Sequence, residues 1–251
     1  MNTLTRMSVV GGLLVLLFTP FAYAREESEA KALTRQLAAL RKAGDANALV
    51  DAMPEVPQAY RRTGKPGEMA KLRNELGKIA KQRKLGPARP AAVRALASLG
   101  APKEAWSEIS SLMPAARVEE ASALDLEVVK TAGKLAQGKV VKPLLVLVAQ
   151  AKDPQLAVVA AEALAGFRAA PKTRRVVLKD LLALGTRMAG VATSGSEAAS
   201  DAASRWATVG PGIVRGLNGL TGQEFGSFDE WNAAYERDRS APEKLFIAAA
   251  E

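Results

Sequence analysis

Apolar residues recur at the spacing of one helix face in the segment KDPQLAVVAAEALAGF, residues 152–167. They fall at positions i, i+3, i+4, i+7, i+8 and i+11, which indicates a single apolar stripe on a helix of about three and a half turns. Asp153 is suited to cap this helix and Pro154 to occupy its first position. After residues 170–171, a second apolar pattern predicts a partner helix that ends near Gly185. The stripe consists of Leu156, Val159, Ala160, Ala163, Leu164 and Phe167.

The same arrangement occurs upstream of this pair. One apolar stripe covers residues 124–135 and a second covers residues 141–148. Val128 corresponds to Val158 at an offset of 30 residues. A weaker copy is AAVRALASLG, at residues 91–100. Helix pairs that recur every thirty to forty residues or so are typical of an α-solenoid, in which each pair packs only on its neighbours.

The phrases AAVRALASLG and DPQLAVVAAEALAGF resemble the first helices of HEAT repeats, in particular the short HEAT-like variety. The resemblance is clearest over residues 88–190. The sequence departs from the family in the ladder of aspartate and arginine between repeats, since Asp153 is present but alanine follows Val159 where arginine is common. The resemblance implies an all-α fold, an α-α superhelix of stacked antiparallel helix pairs.

The closing segment resembles the end of exported bacterial HEAT-repeat proteins, where an LTG-x-x-FG phrase precedes a short helix that carries a tryptophan. An array of this kind needs a cap because its last apolar face has no neighbour. Phe225, Phe228 and Trp231 are predicted to supply that cap. Ser227 and Glu230 fit a capping box at the start of the short helix.

The first 24 residues have the features of a secretory signal peptide. Arg6 precedes an apolar run, and Pro20 precedes an A-x-A cleavage site at residues 22–24. The alternative is an uncleaved membrane anchor. This is disfavoured because the apolar run is shorter than the ~20 residues that a membrane span needs. We therefore predict an exported protein, periplasmic or secreted, whose mature chain begins at Arg25 and has no transmembrane segment.

Two further segments suggest boundaries. LGPARP, at residues 85–90, is predicted to end one helix, and TSGSEAASDAASRW, at residues 193–206, is predicted to be a loop in which Ser194 and Glu197 form a capping box. Residues 26–85 either continue the array or form a separate N-terminal arm. A separate arm would predict proteolytic cleavage at LGPARP. The predicted divisions are a basic helical segment at 25–87, a HEAT-like core at 88–190, and a C-terminal helix and cap at 191–251.

The sequence contains no histidine and no cysteine. This excludes thiolate nucleophiles, Ser-His triads, histidine or cysteine zinc sites and disulfides. The carboxylate pairs Glu119-Glu120 and Asp229-Glu230 are adjacent in sequence, and neighbouring residues on a helix do not face each other. We predict a protein that is not an enzyme and uses no metal or cofactor. The tryptophans are predicted to be core or cap residues rather than a ligand platform: Trp106, Trp206 and Trp231.

The positive charge of the chain is concentrated in residues 61–89. The predicted mature chain has 34 Lys and Arg residues (35 less Arg6) against 26 acidic residues, an excess of +8. Residues 61–89 contain ten basic and two acidic residues, which is also +8. This pattern indicates either a surface for an anionic partner or a solvated helix face. The candidate binding residues are Arg61, Arg62, Lys71, Arg73, Lys78, Lys81 and Lys84.

These features predict a binding or scaffold protein whose partner is another protein of the cell envelope or secreted fraction. The alternative is an anionic envelope polymer, lipid or nucleic acid bound by residues 61–89. Nucleic acid is disfavoured because Tyr60, at the margin, is the only aromatic residue that could stack on a base there.

Overall fold

The computed structural model describes residues 28–194 and 199–247, and this part of the chain is all-α. The predicted all-α class is therefore confirmed. The predicted signal peptide lies outside the described residues, as does Glu197. The α-helices are α1 (Glu29–Ala43), α2 (Ala46–Ala52), α3 (Val56–Thr63), α4 (Pro66–Lys81), α5 (Ala88–Ala97), α6 (Pro102–Ile109), α7 (Ala123–Leu135), α8 (Val141–Gln150), α9 (Pro154–Ala163), α10 (Pro171–Ala192), α11 (Ala199–Thr221) and α12 (Phe228–Arg237).

One row of helices passes through the molecule in chain order. In this row α1 packs on α4, α4 on α5, α5 on α7, α7 on α9, and α9 on α11. The other helices lie against the row: α2 on α1 and α5, α3 on α1 and α4, α6 on α4, α5 and α7, α8 on α9, and α10 on α11. At the end of the chain, α12 packs on α10 and α11. The superhelical form and the HEAT-like assignment stay predictions.

The helix predicted from residues 152–167 is present with its cap. Asp153 Oδ1 accepts a hydrogen bond from the Gln155 amide at 2.7 Å, and Pro154 is the first helical residue. Asp153 Oδ2 also accepts from the Ala121 amide at 2.7 Å, which fixes the segment before α7. A short 3₁₀ helix at Leu164–Ala169 continues α9. All six residues of the predicted stripe are buried.

The predicted end of the partner helix at Gly185 is wrong, since α10 continues to Ala192. Gly185 lies inside the helix and faces the ring of Phe228, which a Cβ at this position would overlap. The glycine therefore allows the C-terminal segment to approach α10 closely. It does not terminate the helix.

The prediction of a loop at residues 193–206 is also wrong for its second half. Residues 199–206 belong to α11. Alanine is the strongest helix former, and Asp201 in the first turn complements the positive end of the helix dipole. Arg205 ties this end of α11 to α8, because its guanidinium donates to the carbonyl oxygens of Ala151 at 2.7 Å and Val148 at 3.1 Å.

Glycines allow the backbones of α7, α9 and α11 to approach each other. A Cβ on Gly133 of α7 would overlap the carbonyl oxygen of Ala163 in α9, and a Cβ on Gly216 of α11 would overlap the carbonyl oxygen of Ala161. Gly166 faces the carbonyl group of Gly133 in the same way. Helix-interior glycine lowers helix propensity by about 1 kcal/mol, so these glycines indicate contacts that only a missing Cβ allows.

The helices of residues 28–85 share a core with the rest of the described chain. Leu72, Leu76 and Ile79 of α4 are fully buried, and α4 packs along α5. The connection at residues 85–90 is also anchored, since Leu85 is fully buried and Arg89 Nε donates to the Ala80 carbonyl oxygen at 2.9 Å.

We expect this connection to resist proteolysis in the native protein. Cleavage requires local unfolding, and the burial of Leu85 and Ala88 couples local opening to the core. Brief subtilisin digestion followed by intact-mass spectrometry should leave residues 28–194 uncut at 85–90. A stable fragment beginning near Ala88 would show that the N-terminal helices form a separate arm.

Candidate binding surfaces

The basic residues of 61–89 do not form one surface, because the fold distributes them to opposite ends of α1. Arg62 pairs with Glu29 at the N-terminal end of α1, with Arg62 Nη1 3.1 Å from the carboxylate. Lys84 lies at the C-terminal end, where its Nζ is 3.9 Å from the position of a Cβ on Gly44. Because α1 has 15 residues, its ends are about 22 Å apart.

Several of the candidate cations already have partners within the protein. Lys78 Nζ lies 3.3 Å from Glu75 and Lys81 Nζ lies 3.6 Å from Glu108. Arg73 Nη1 donates to the hydroxyl group of Tyr60 at 3.0 Å. Within the described part of the chain, the remaining candidates are exposed and make no ion pair: Arg61, Lys71 and Lys84.

The structure adds basic residues that the sequence pattern missed. Arg41 and Lys42, in the last turn of α1, lie at the same end as Lys84. Arg41 Nη1 also donates to Gln82 Oε1 at 3.4 Å, just after α4. These residues precede the basic run by about twenty positions and Lys84 by about forty, so only the packing of α1 on α4 brings them to Lys84.

Glu68 holds the N-terminal end of α1 to α3 and α4. Its carboxylate accepts hydrogen bonds from the hydroxyl groups of Ser28 and of Thr63, the latter at 2.6 Å, and lies 3.4 Å from Lys65 Nζ. The Ser28 and Thr63 hydroxyl groups, with a smaller contribution from the charge of Lys65, lower the pKa of Glu68 from 4.5 to about 2.

This shift predicts that the contribution of Glu68 to the stability of the folded state depends on pH. The ionised carboxylate favours the folded state above the ordinary pKa of 4.5, and this contribution disappears as the pH falls from 4.5 to about 2. Thr63→Val should raise the pKa of Glu68 because it removes a hydroxyl donor, whereas Thr63→Ser should leave it low. An NMR titration of the Glu68 carboxyl carbon measures both values. Equal midpoints in the valine and serine variants would contradict the assigned hydrogen bond.

A cleft of about 620 Å³ lies between α10, α11 and α12. Its walls are mainly apolar, and Trp206 packs edge-to-face on Phe228 with ring centroids 5.3 Å apart. Phe225 packs in the same way on the buried Trp231, at 4.7 Å. Arg215 also lines the cleft, and its Nε is 2.6 Å from Glu162. The apolar side chains that line the cleft include Trp206, Pro211, Val214, Phe225 and Phe228.

The polar groups inside the cleft are engaged by the protein itself. Asn218 Oδ1 accepts from Trp231 Nε1 at 2.8 Å and from the Phe225 amide at 3.4 Å. Asn218 Nδ2 donates to the Phe225 carbonyl oxygen at 2.9 Å. Asn218 therefore fixes the loop between α11 and α12 with its side-chain oxygen, which accepts two hydrogen bonds, and its side-chain nitrogen, which donates one.

Of the three residues predicted to form the cap, Phe228 and Trp231 are buried against α10 and α11, and Phe225 is half-buried against Trp231. That they close an array of repeats stays a prediction. The capping box is confirmed in part. Ser227 Oγ accepts from the Glu230 amide at 3.2 Å, but the Glu230 carboxylate accepts from the Gly226 amide instead of that of Ser227.

The tryptophans differ in their surroundings. Trp106 and Trp231 are buried as predicted. Trp206 is half-buried: it packs against the core and on Phe228 of the C-terminal segment, as predicted for a core or cap residue, and its remaining surface lines the cleft. No local pattern indicates the cleft, because the composition of residues 193–206 predicts a loop and the return of α12 onto α10 is a long-range contact.

Two of the four carboxylates singled out in the sequence, Glu119 and Glu230, have structural partners. Glu119 pairs with Lys152 at 3.0 Å, and the Glu230 carboxylate caps α12. Two further carboxylates, Glu75 and Glu127, are buried and pair with Arg41 at 2.5 Å and Arg94 at 3.0 Å, which joins neighbouring helices of the row. Within residues 28–194 and 199–247, no three acidic side chains converge at a point suited to a metal ion.

Comparison of the chain with known protein families, curated proteins and solved structures gives no match. None of the helices in the described part of the chain combines the length and apolar character needed to cross a bilayer.

Proposed function

We propose that this chain is a non-catalytic binding protein of the cell envelope or secreted fraction, and that the cleft between α10, α11 and α12 takes an apolar segment of a protein partner. The cleft carries this proposal, because its walls expose aromatic and aliphatic surface while Asn218 is satisfied internally. Half-exposed tryptophan is enriched at protein–protein interfaces, where it supplies a large contact area.

The backbone of α11 also favours a peptide ligand. Pro211 lies inside the helix and has no N–H group, so the carbonyl of Ala207, four residues earlier, lacks its α-helical donor. Ala207 and Pro211 both line the cleft. This carbonyl can accept a hydrogen bond from the backbone of a bound segment while the apolar side chains of that segment contact Trp206 and Phe228.

Site-specific photo-crosslinking in the native host tests this proposal. A photoreactive residue at Thr193, which is exposed and lines the cleft, should give one discrete protein adduct. The same residue at Lys103, which is exposed on α6, is the matched control and should give none. Adducts of the same mass at both positions, or none at Thr193, would contradict a specific site in the cleft.

A second function, binding of an anionic polymer, is supported by the exposed cations at the C-terminal ends of α1 and α4. Salt distinguishes the two functions. Binding in the apolar cleft should persist at about 1 M salt, where the screening length is ~3 Å, whereas binding to exposed cations should be lost.

A further inference from the structure

We infer that the adjoining C-terminal ends of α1 and α4 form a binding surface for a linear phosphate polymer. This inference rests on the second of the functions proposed above and is independent of the cleft. The proposed surface contains the C-terminal part of the basic segment together with residues of α1. Arg61 and Arg62 do not belong to it, because they lie at the other end of α1.

Three contacts bring the two helix ends together. Arg41 Nε lies 2.5 Å from Glu75 of α4, and Arg41 Nη1 donates to Gln82 at 3.4 Å. Lys84 Nζ approaches Gly44, the residue that ends α1 in a left-handed conformation with φ of 78°. Arg89 also lies at the C-terminal end of α4, because its guanidinium donates to the carbonyl oxygen of Ala80 in the last turn of that helix.

The cations at this surface outnumber the nearby carboxylates. Glu75 is buried and shared by Arg41 and Lys78, Glu108 pairs with Lys81, and Asp45 caps α2 by accepting from the Ala48 amide. Seven basic residues therefore face three acidic ones, a local excess of +4. The basic residues are Arg41, Lys42, Lys78, Lys81, Arg83, Lys84 and Arg89.

Three of these residues carry the free charge. Lys42, Arg83 and Lys84 are exposed, and they make no ion pair within the described residues. Cations in the last turn of a helix also stabilise its dipole, which accounts for Lys42, Lys78 and Lys81. Arg83 and Lys84 lie beyond α4 in the 3₁₀ turn Arg83–Leu85, so the dipole of α4 accounts for them less well.

Phosphate is the anion that suits these donors. Ammonium and guanidinium groups form charge-assisted hydrogen bonds with phosphate oxygens, and these bonds are about twice as strong as neutral ones. The donors are spread over two helix ends on an exposed surface, which favours a ligand that repeats its charge along a chain. Once one phosphate is bound, its neighbours on the polymer are held near the other cations at a high effective concentration, so many weak contacts add to a higher affinity.

The surroundings of the surface favour a soluble polymer over a bilayer or nucleic acid. Lipid insertion needs exposed apolar side chains, and in the described part of the chain none of the large ones belongs to α1, α4 or the turn after α4; they are Val146, Val176, Val191 and Ile247. Tyr60 is buried, and its hydroxyl accepts from Arg73, so it is not available to stack on a base.

The test measures binding of inorganic polyphosphate to the full mature chain, residues 25–251, by isothermal titration calorimetry at several salt concentrations. The variant is Lys42→Gln, Arg83→Gln, Lys84→Gln. The matched control is Arg61→Gln, Lys103→Gln, Lys139→Gln, which removes the same charge from exposed positions elsewhere. Because all six side chains are exposed, both variants should keep the melting temperature of the parent chain.

The variant should weaken binding at least tenfold and lower the slope of log Kd against log salt by about 2, whereas the control should change the affinity by less than about threefold. Equal losses in both variants would show a general charge effect and overturn the inference. So would undetectable binding by the parent chain, or tighter binding to phosphatidylglycerol vesicles than to polyphosphate. Crosslinking from Thr193 should be unchanged in the variant, so the two proposals fail separately.

Discussion

Gly133→Ala is expected to lower the free energy of unfolding by about 3 kcal/mol, the upper range for overpacking a core. The added methyl group would overlap the carbonyl oxygen of Ala163, which is backbone and cannot rotate away. The backbones of α7 and α9 must therefore separate, and the apolar side chains between them lose contact. Urea denaturation followed by circular dichroism measures the change.

Gly190→Ala is the matched control for this prediction. Gly190 lies in α10, is exposed, and has no heavy atom within 4 Å of the position of an added Cβ. Alanine should raise the free energy of unfolding there by about 0.5 kcal/mol, because it restricts the unfolded chain and favours helix. Similar effects of the two substitutions would contradict the close approach of α7 and α9.

Trp231→Ala should lower the free energy of unfolding by about 4 kcal/mol, as expected for removal of a fully buried indole. The substitution removes the packing of Phe225 on the indole and leaves Asn218 Oδ1 without its indole donor. We therefore expect the segment after α11 to detach from α10 and α11. Thermal denaturation and hydrogen exchange of residues 223–237 measure the two effects.

Trp231→Phe separates packing from hydrogen bonding. Phenylalanine retains an aromatic ring but cannot donate to Asn218, whose Oδ1 keeps the Phe225 amide as a donor. We therefore expect a loss of about 1 kcal/mol, the usual net contribution of one hydrogen bond. A loss below about 1 kcal/mol in Trp231→Ala would show that the C-terminal segment does not stabilise the array in the way its burial indicates.

Local patterns in the sequence predicted the helices and their caps. The stripe from Leu156 to Phe167 determines which face of α9 is buried, and Asp153 and Pro154 determine where the helix begins. These features depend on residues within a few positions of each other. They can therefore be derived from periodicity and capping preferences without knowledge of the tertiary structure.

Contacts between distant segments could not be derived in this way. Gly185 was predicted to end a helix because glycine is common at helix ends, yet it accommodates Phe228, which is 43 residues later. The basic run at 61–89 was treated as one candidate surface, but α3 and α4 carry its residues to opposite ends of α1. The cleft depends on the return of α12 to α10, which no local pattern specifies.

Co-purification of a tagged chain of residues 25–251 from the envelope and secreted fractions of the native host most directly tests the proposal that the cleft binds a protein partner. The variant is Ala207→Arg, which places a charge on the cleft wall, and the control is Thr208→Arg on a neighbouring exposed face of α11. We expect one protein partner to be retained at about 1 M salt by the parent chain and by Thr208→Arg, and to be lost from Ala207→Arg. Retention of the same partner by Ala207→Arg, or loss of all partners from the parent chain at high salt, would contradict the cleft as the binding site.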